Sequence, residues 1–164
     1  VGNWIDVQFE FGHGLSYTTF QYSDLVIAAT MNWDDTLNVA VTVRNSGTRA
    51  GDHTVLMYVS DLYRTVTPPN KELKGYSKSS YEAGQQKVGQ FTLTRADLSF
   101  IGIDLTRQTE AGLFTVRIGD LQANFTLNGG TQPAGAPSMV KSSYEHFFAL
   151  LAFHVLLFLT AVLA

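Results

Sequence analysis

The chain has 164 residues, 14 of them acidic and 11 basic, with a formal net charge of −3 and no cysteine. Its basic residues are scattered singly, so no surface is built for a phosphate backbone, and nucleic acid is excluded as an expected partner. A body of about 100 to 125 residues can bury its own core without the help of a disulfide or a metal.

In chain order, residues 10–20, EFGHGLSYTTF, place two glycines around a histidine between aromatic side chains. From 21 to 127 apolar residues recur mostly at every second position, the period that sends successive side chains to opposite faces of a strand. Residues 25–27 and 37–43 read as the first two strands, with Leu37, Val39, Val41 and Val43 facing a core. Arg44-Asn45-Ser46-Gly47 then supplies turn chemistry, since Asn and Gly tolerate the positive backbone angles of a reversal. Residues 53–60 are apolar or β-branched at nearly every position, which predicts a central strand covered on both faces. Residues 61–70, with Pro68-Pro69, read as a loop. Further strands are expected at 72–76, 87–93, 113–118 and 121–127, with a reversal at 82–85 between the first two. Seven short strands with no amphipathic helix between them predict an all-β, antiparallel two-sheet sandwich.

Residues 129–138, GGTQPAGAPS, are small and turn-rich and read as a flexible linker, which continues as a spacer to residue 146. Residues 147–164, FFALLAFHVLLFLTAVLA, carry no Asp, Glu, Lys or Arg and predict a hydrophobic helix. As a helix these would span about 27 Å, close to the roughly 30 Å of a bilayer interior. Three expectations compete. A buried core helix would need protein on every side, more than a small sandwich can offer. A retained membrane span lacks a basic flank to hold its far side. A signal for a glycosylphosphatidylinositol (GPI) anchor needs small residues, a polar spacer of about eight to twelve residues and an apolar tail. Ala134, Gly135 and Ala136 supply the first, residues 137–146 the second and residues 147–164 the third, with Ser138 a competing attachment point.

Catalytic chemistry is hard to assemble from these residues. A glycosidase needs two carboxyl groups about 5 to 10 Å apart across a sugar. Asp34-Asp35, however, stands at a turn that favours local hydrogen bonding, and Glu72, flanked by Lys71 and Lys74, reads as part of a solvated charge ladder. His13, His53, His146 and His154 have no metal-ligand spacing, so neither a metal nor another cofactor is expected. Gly12-x-Gly14 lacks the third glycine of a dinucleotide loop, because Tyr17 stands in its place. Trp33, Tyr63, Tyr76 and Tyr81 either pack over the rim of the sandwich or stack on sugar rings. Asn124-Phe125-Thr126 is an N-glycosylation acceptor on a strand whose Leu121, Ala123, Phe125 and Leu127 face inward, leaving Asn124 outward.

The opening stretch resembles the Phe-Gly-x-Gly-Leu-Ser-Tyr-Thr-x-Phe segment that leads into the C-terminal fibronectin type III-like domain of family 3 glycoside hydrolases, the β-glucosidases and β-xylosidases. Four further segments resemble that family in the same order: VRNSGTRAGDHTVLMYVSD (43–61), PPNKELKGY (68–76), LTRADLSF (93–100) and EAGLFTVRIGD (110–120). Glu10 stands where the family often has proline, and residues 101–110 replace its usual aromatic-rich stretch. The resemblance implies an immunoglobulin-like, fibronectin type III-like sandwich over 21–128, entered through a hinge at 1–20. It also implies that both catalytic carboxylates lie upstream and that none is carried by this chain. The partners implied are the catalytic domains of a parent glycosidase. The residues carried over to that interface are Phe11, Gly12, Gly14, Leu15 and Tyr17 in the lead-in, and Lys71, Glu72, Leu73 and Gly75 in the later motif. With the anchoring signal, the expected location is extracellular, at the cell surface. A rival from another class is a free-standing surface module whose exposed aromatics, Tyr63 and Tyr76 among them, bind polysaccharide.

Overall fold

A computed structural model describes residues 8–129. Its strands are β1 (Phe20–Ile27), β2 (Thr30–Asn32), β3 (Leu37–Asn45), β4 (Gly51–Asp61), β5 (Glu72–Tyr81), β6 (Gln86–Leu93), β7 (Phe100–Ile101), β8 (Arg107–Gln108), β9 (Gly112–Ile118) and β10 (Leu121–Asn128). A single 3-10 turn at Arg95–Leu98 follows β6.

The period-two pattern is clearest in β3, where Leu37, Val39, Val41 and Val43 are buried while Asn38 and Arg44 face solvent. Branched side chains suit this pleated setting because their restricted rotamers cost little there. β3 pairs antiparallel with β1 and β6, giving a three-stranded sheet in the order β1-β3-β6. The second sheet runs β2-β10-β9-β4-β5, and β7 and β8 form a small hairpin. Val55, Met57 and Val59 of β4, Val116 and Ile118 of β9, and Phe125 and Leu127 of β10 meet the β3 valines and Leu93 in one core. Phe114 and Phe125 stack within it, ring centroids 5.3 Å apart. Each such side chain contributes about 1.5–3 kcal/mol through burial, so the described fold needs no staple.

Three local expectations are corrected. First, the sandwich is not wholly antiparallel, since β2 runs parallel to β10 with Thr30, Met31 and Asn32 opposite Thr126, Leu127 and Asn128. The pairing of β1 with β3 shifts register between Ser23 and Val26, where Asp24 has φ +51°, and the chain then leaves that sheet to join the other. Second, β4 is central in its sheet but not sealed on both faces. Thr54 is exposed, and Leu56 and Tyr58 are only half-buried, beneath the lead-in described below. Third, neither Asn45 nor Gly47 has a positive φ. Asn45 is instead the fully buried last residue of β3, and a side chain at position 47 would collide with the Thr18 hydroxyl. The reversal at 82–85 does use a positive angle, at Gly84 with φ +75°.

β2, β7 and β8 have two or three residues each, too few to display a period in sequence. The linker beyond Gly129, the helix expected at 147–164 and the attachment candidates Ala134, Gly135 and Ser138 lie outside the described residues. Within the described residues, no helix is long and apolar enough to cross a membrane.

Candidate docking surface

The lead-in lies across the outer face of the five-stranded sheet and is gripped at three points. Glu10 to His13 form a tight turn closed by His13 N–H donating to the Glu10 carbonyl at 3.0 Å, with Gly12 at φ +87°. That is the third turn position, where a positive angle is required and glycine meets it without strain. The same Gly12 sits so close to Leu56 that any Cβ would strike the Leu56 methyl, which joins the two requirements in one residue. Lys71 donates to Glu10 Oε2 at 2.5 Å and lies 5.0 Å from the centre of the Tyr58 ring. The Lys71 ammonium holds the Glu10 carboxyl below its usual range, by hydrogen bonding first and by charge second. Tyr58 Oη donates to the Phe11 carbonyl at 3.3 Å.

At the other end of the sheet, Thr18 Oγ1 donates to Asn45 Oδ1 at 2.5 Å. Asn45 Nδ2 donates to the Arg49 carbonyl at 2.7 Å and to that of Tyr81 at 3.3 Å. One buried amide thus ties the lead-in to β3, to the loop before β4 and to the end of β5. Between these grips the apolar side chains point away from the domain: Phe11 is 75 % exposed, Leu15 99 % and Tyr17 93 %. Gly14 has open space around it and no positive φ, so the described residues place no steric demand on it.

The later motif divides between two faces. Leu73 stands opposite Tyr58 on the outer face, with Tyr76 opposite Leu56, 74 % exposed. A bulge between Met57 and Tyr58 of β4 and their β5 partners turns Gly75 inward, where a Cβ would lie 2.9 Å from Phe91 and 3.3 Å from Met57. Gly75 therefore serves packing of the two sheets. Glu72 and Lys74 pair at 2.7 Å, and Arg64 reaches Glu72 at 3.6 Å while its guanidinium lies 4.4 Å from the centre of the Phe100 ring.

The remaining candidates fall as follows. Asp34 faces Arg95 at 3.7 Å, and Asp35 accepts from Asn32 Nδ2 at 2.8 Å, the local bonding expected at a turn. Arg95 covers the Trp33 ring, and Tyr81 is buried against Phe20, so neither aromatic is a free platform. Tyr63 and Tyr76 remain exposed. Asn124 is exposed, with its carbonyl oxygen accepting from Thr115 Oγ1 at 2.8 Å. His53 is stacked on Phe20 and accepts or donates at 2.6 Å with the Tyr22 hydroxyl. Burial lowers its pKa and pushes that of Tyr22 up to about 12, so both groups of the pair favour their neutral forms. Among the described residues, no group of three or more His, Asp or Glu could hold a metal ion.

Of the expected interface residues, the fold brings Phe11, Gly12, Lys71 and Leu73 onto one face. Leu56, Tyr58 and the Glu10 partner of Lys71 join them there. The unbroken run VLMYVS in β4, read as a strand covered on both faces, holds the signal for the first two but not for what covers them.

Comparison with known proteins identifies the fold. Residues 53–122 match the family model of the fibronectin type III-like domain. The chain is 38 % identical over 117 residues to thermostable beta-glucosidase B of Acetivibrio thermocellus, covering 70 % of the chain and 16 % of that protein. It is 38 % identical over 112 residues to a beta-xylosidase of Formosa agariphila, covering 68 % of the chain and 16 % of that protein. A crystal structure of a beta-glucosidase from Listeria innocua, in complex with gluconolactone, superimposes with a TM-score of 0.73 at 28 % identity, over 80 % of this chain and 19 % of that one. The chain spans less than a fifth of the length of these relatives. It carries the fibronectin type III-like domain found at the C-terminus of β-glucosidases and β-xylosidases of glycoside hydrolase family 3.

Proposed function

We propose that this chain is the non-catalytic accessory domain of an extracellular β-glucosidase-like hydrolase, buttressing catalytic domains that precede it in the same polypeptide. One observation carries this reading: the lead-in is strapped to the outer sheet face, yet presents Phe11, Leu15 and Tyr17 to solvent, and the strand β5 of that sheet also leaves Leu73 and Tyr76 exposed. Several large apolar side chains left exposed on one side of a small domain support a docking site, and exposed aromatic rings are frequent anchors in such interfaces. Gly14 and the turn at Gly12 let the backbone pass close to a neighbour. Purified chain should release no product from aryl β-glucosides or β-xylosides beyond a heat-killed control, whereas the whole gene product should do so. Turnover by the chain itself would overturn the proposal.

Surface attachment is a second part of the proposal. The order of small residues, polar spacer and apolar tail over 134–164 supports a lipid anchor, and a lipid-anchored protein would be released from intact cells by a phosphatidylinositol-specific phospholipase. A glycan on Asn124 would shift the released protein on treatment with an N-glycanase.

The exposed rings of Tyr63 and Tyr76 favour a second reading, a polysaccharide-binding module. Binding of the isolated chain to β-glucan that is lost in Tyr63→Ala or Tyr76→Ala would select it.

A further inference from the structure

The tip of the β7–β8 hairpin carries apolar side chains that the fold does not use. Ile103 is 79 % exposed and Leu105 83 %, with Ile101 beside them at 48 %. Leu105 also has φ +60°, the conformation that a hairpin loop of this type normally gives to glycine or asparagine. A bulky residue held in strain while pointing into water gains nothing for the domain itself, and such outliers persist where they serve a contact.

The hairpin is nonetheless built rigidly. Leu105 N–H donates to the Gly102 carbonyl at 3.0 Å, and Gly102 N–H to the Thr106 carbonyl at 2.9 Å. Asp104 accepts from both the backbone and the hydroxyl of Thr106, which holds its carboxyl below the usual range. At the base, the Arg64 guanidinium lies over Phe100, and Glu110, which is 7 % exposed, accepts from Thr65 N–H at 2.9 Å and from the Thr65 hydroxyl at 2.5 Å. The hairpin and the 61–70 loop are therefore clamped to one another, and the tip is presented on a fixed mount.

Topology places the tip at one end of the sandwich. The hairpin joins the end of β6 to the start of β9, which pairs beside the end of β4, Phe114 opposite Asp61. The start of β5 stands at that same end, Glu72 opposite Val59, and Lys71 just before it grips Glu10. The Lys71–Glu10 grip on the lead-in thus lies toward the end from which the hairpin projects. Four-fifths or more of the length of the relatives lies outside the matched region.

Resting on the accessory-domain reading above, we propose that Ile103 and Leu105 form a second anchor, seated in an apolar recess of the body that precedes this chain in the same polypeptide. The lead-in tethers that body and the hairpin fixes its angle.

Hydroxyl-radical footprinting of the whole gene product and of the 164-residue chain tests this, with exposed Val88 on the opposite sheet as internal reference. The expected result is labelling of Ile103 and Leu105 in the chain and at least a fivefold loss of it in the whole product, with Val88 equal in both. Leu105→Asn should raise the melting temperature of the chain by about 2–4 °C, because Asn accepts this conformation. In the whole product the same variant should restore labelling at Ile103. Equal labelling of the tip in both samples, with Phe11 and Tyr17 protected, would overturn the second anchor and leave the accessory reading standing. A gene product with no preceding body would overturn both, and protection of the tip that grows with concentration of the chain would assign it to a second copy and overturn the proposal.

Discussion

Replacing Asn45 by alanine tests whether one buried side chain organises the end of the sandwich where the lead-in arrives. Asn45 is 0 % exposed and makes four side-chain hydrogen bonds: it accepts from Thr18 Oγ1 and Gly47 N–H and donates to the carbonyls of Arg49 and Tyr81. The variant deletes all four at once, while the backbone bonds of residue 45 to Gln85 and Gly84 remain. At about 1 kcal/mol net for each bond, the loss would be about 4 kcal/mol. The 3.3 Å contact to Tyr81 is the weakest, and Gly47 and Arg49 can recover water, so about 3 kcal/mol is the working figure. With a urea slope of about 1.5 kcal/mol/M, the unfolding midpoint should fall by about 2 M at unchanged slope. Thr18→Val removes only one of the four bonds and should cost about 1 kcal/mol. The double variant should cost no more than Asn45→Ala, since both remove the same bond. A loss below about 0.5 kcal/mol for Asn45→Ala, or additive losses in the double variant, would refute the hub.

Other expectations follow from the same geometry. Gly84→Ala meets open space at φ +75° and should cost about 1 kcal/mol of backbone strain. Gly119→Ala adds to a φ of +59° a Cβ 2.6 Å from the Tyr22 ring, so its cost in urea unfolding should clearly exceed that of Gly84→Ala; equal costs would discount the contact. Burial raises the Asp61 carboxyl from an ordinary 3.8 to about 6. Between those values the folded chain binds more protons than the unfolded one, so this site favours folding most below pH 4 and loses that advantage as pH rises through 6. Asp61→Asn should therefore flatten that decline and stabilise the domain at pH 7.5 but not at pH 3.5, as read by thermal melts. His53 has the opposite sign: burial lowers its pKa, so stability falls as pH drops below the ordinary 6.5. An NMR titration should place its midpoint below 6.5, and a higher midpoint would contradict the packing of Phe20 and Tyr22 around it.

How far the sequence carried these conclusions depends on the range of the interaction involved. The long strands were legible because a period of two repeats several times in β3, β6, β9 and β10, and the buried valines follow directly from it. β2 was not, because three residues display no period and its place beside β10 depends on a bulge near Asp24. Asn45 looked like an ordinary turn residue. Its partners Thr18 and Tyr81 lie 27 and 36 positions away, and only the tertiary fold brings them to it. Lys71 and Leu73 were legible as a motif, but that Lys71 would pair with Glu10, 61 positions earlier, was not. Gly75 illustrates the converse: its conspicuous place in a motif suggested an interface, while the bulge in β5 turns it toward Phe91 and Met57.

The central claim, a supporting domain at the end of a much larger hydrolase, is tested most directly by the size of the natural product. An antibody raised against this chain, used to isolate the protein from its cells for intact mass measurement, should recover a polypeptide about four to five times the length of the chain, in proportion to the relatives that it matches. Recovery of a product no heavier than the 18.0 kDa of these 164 residues would contradict the account.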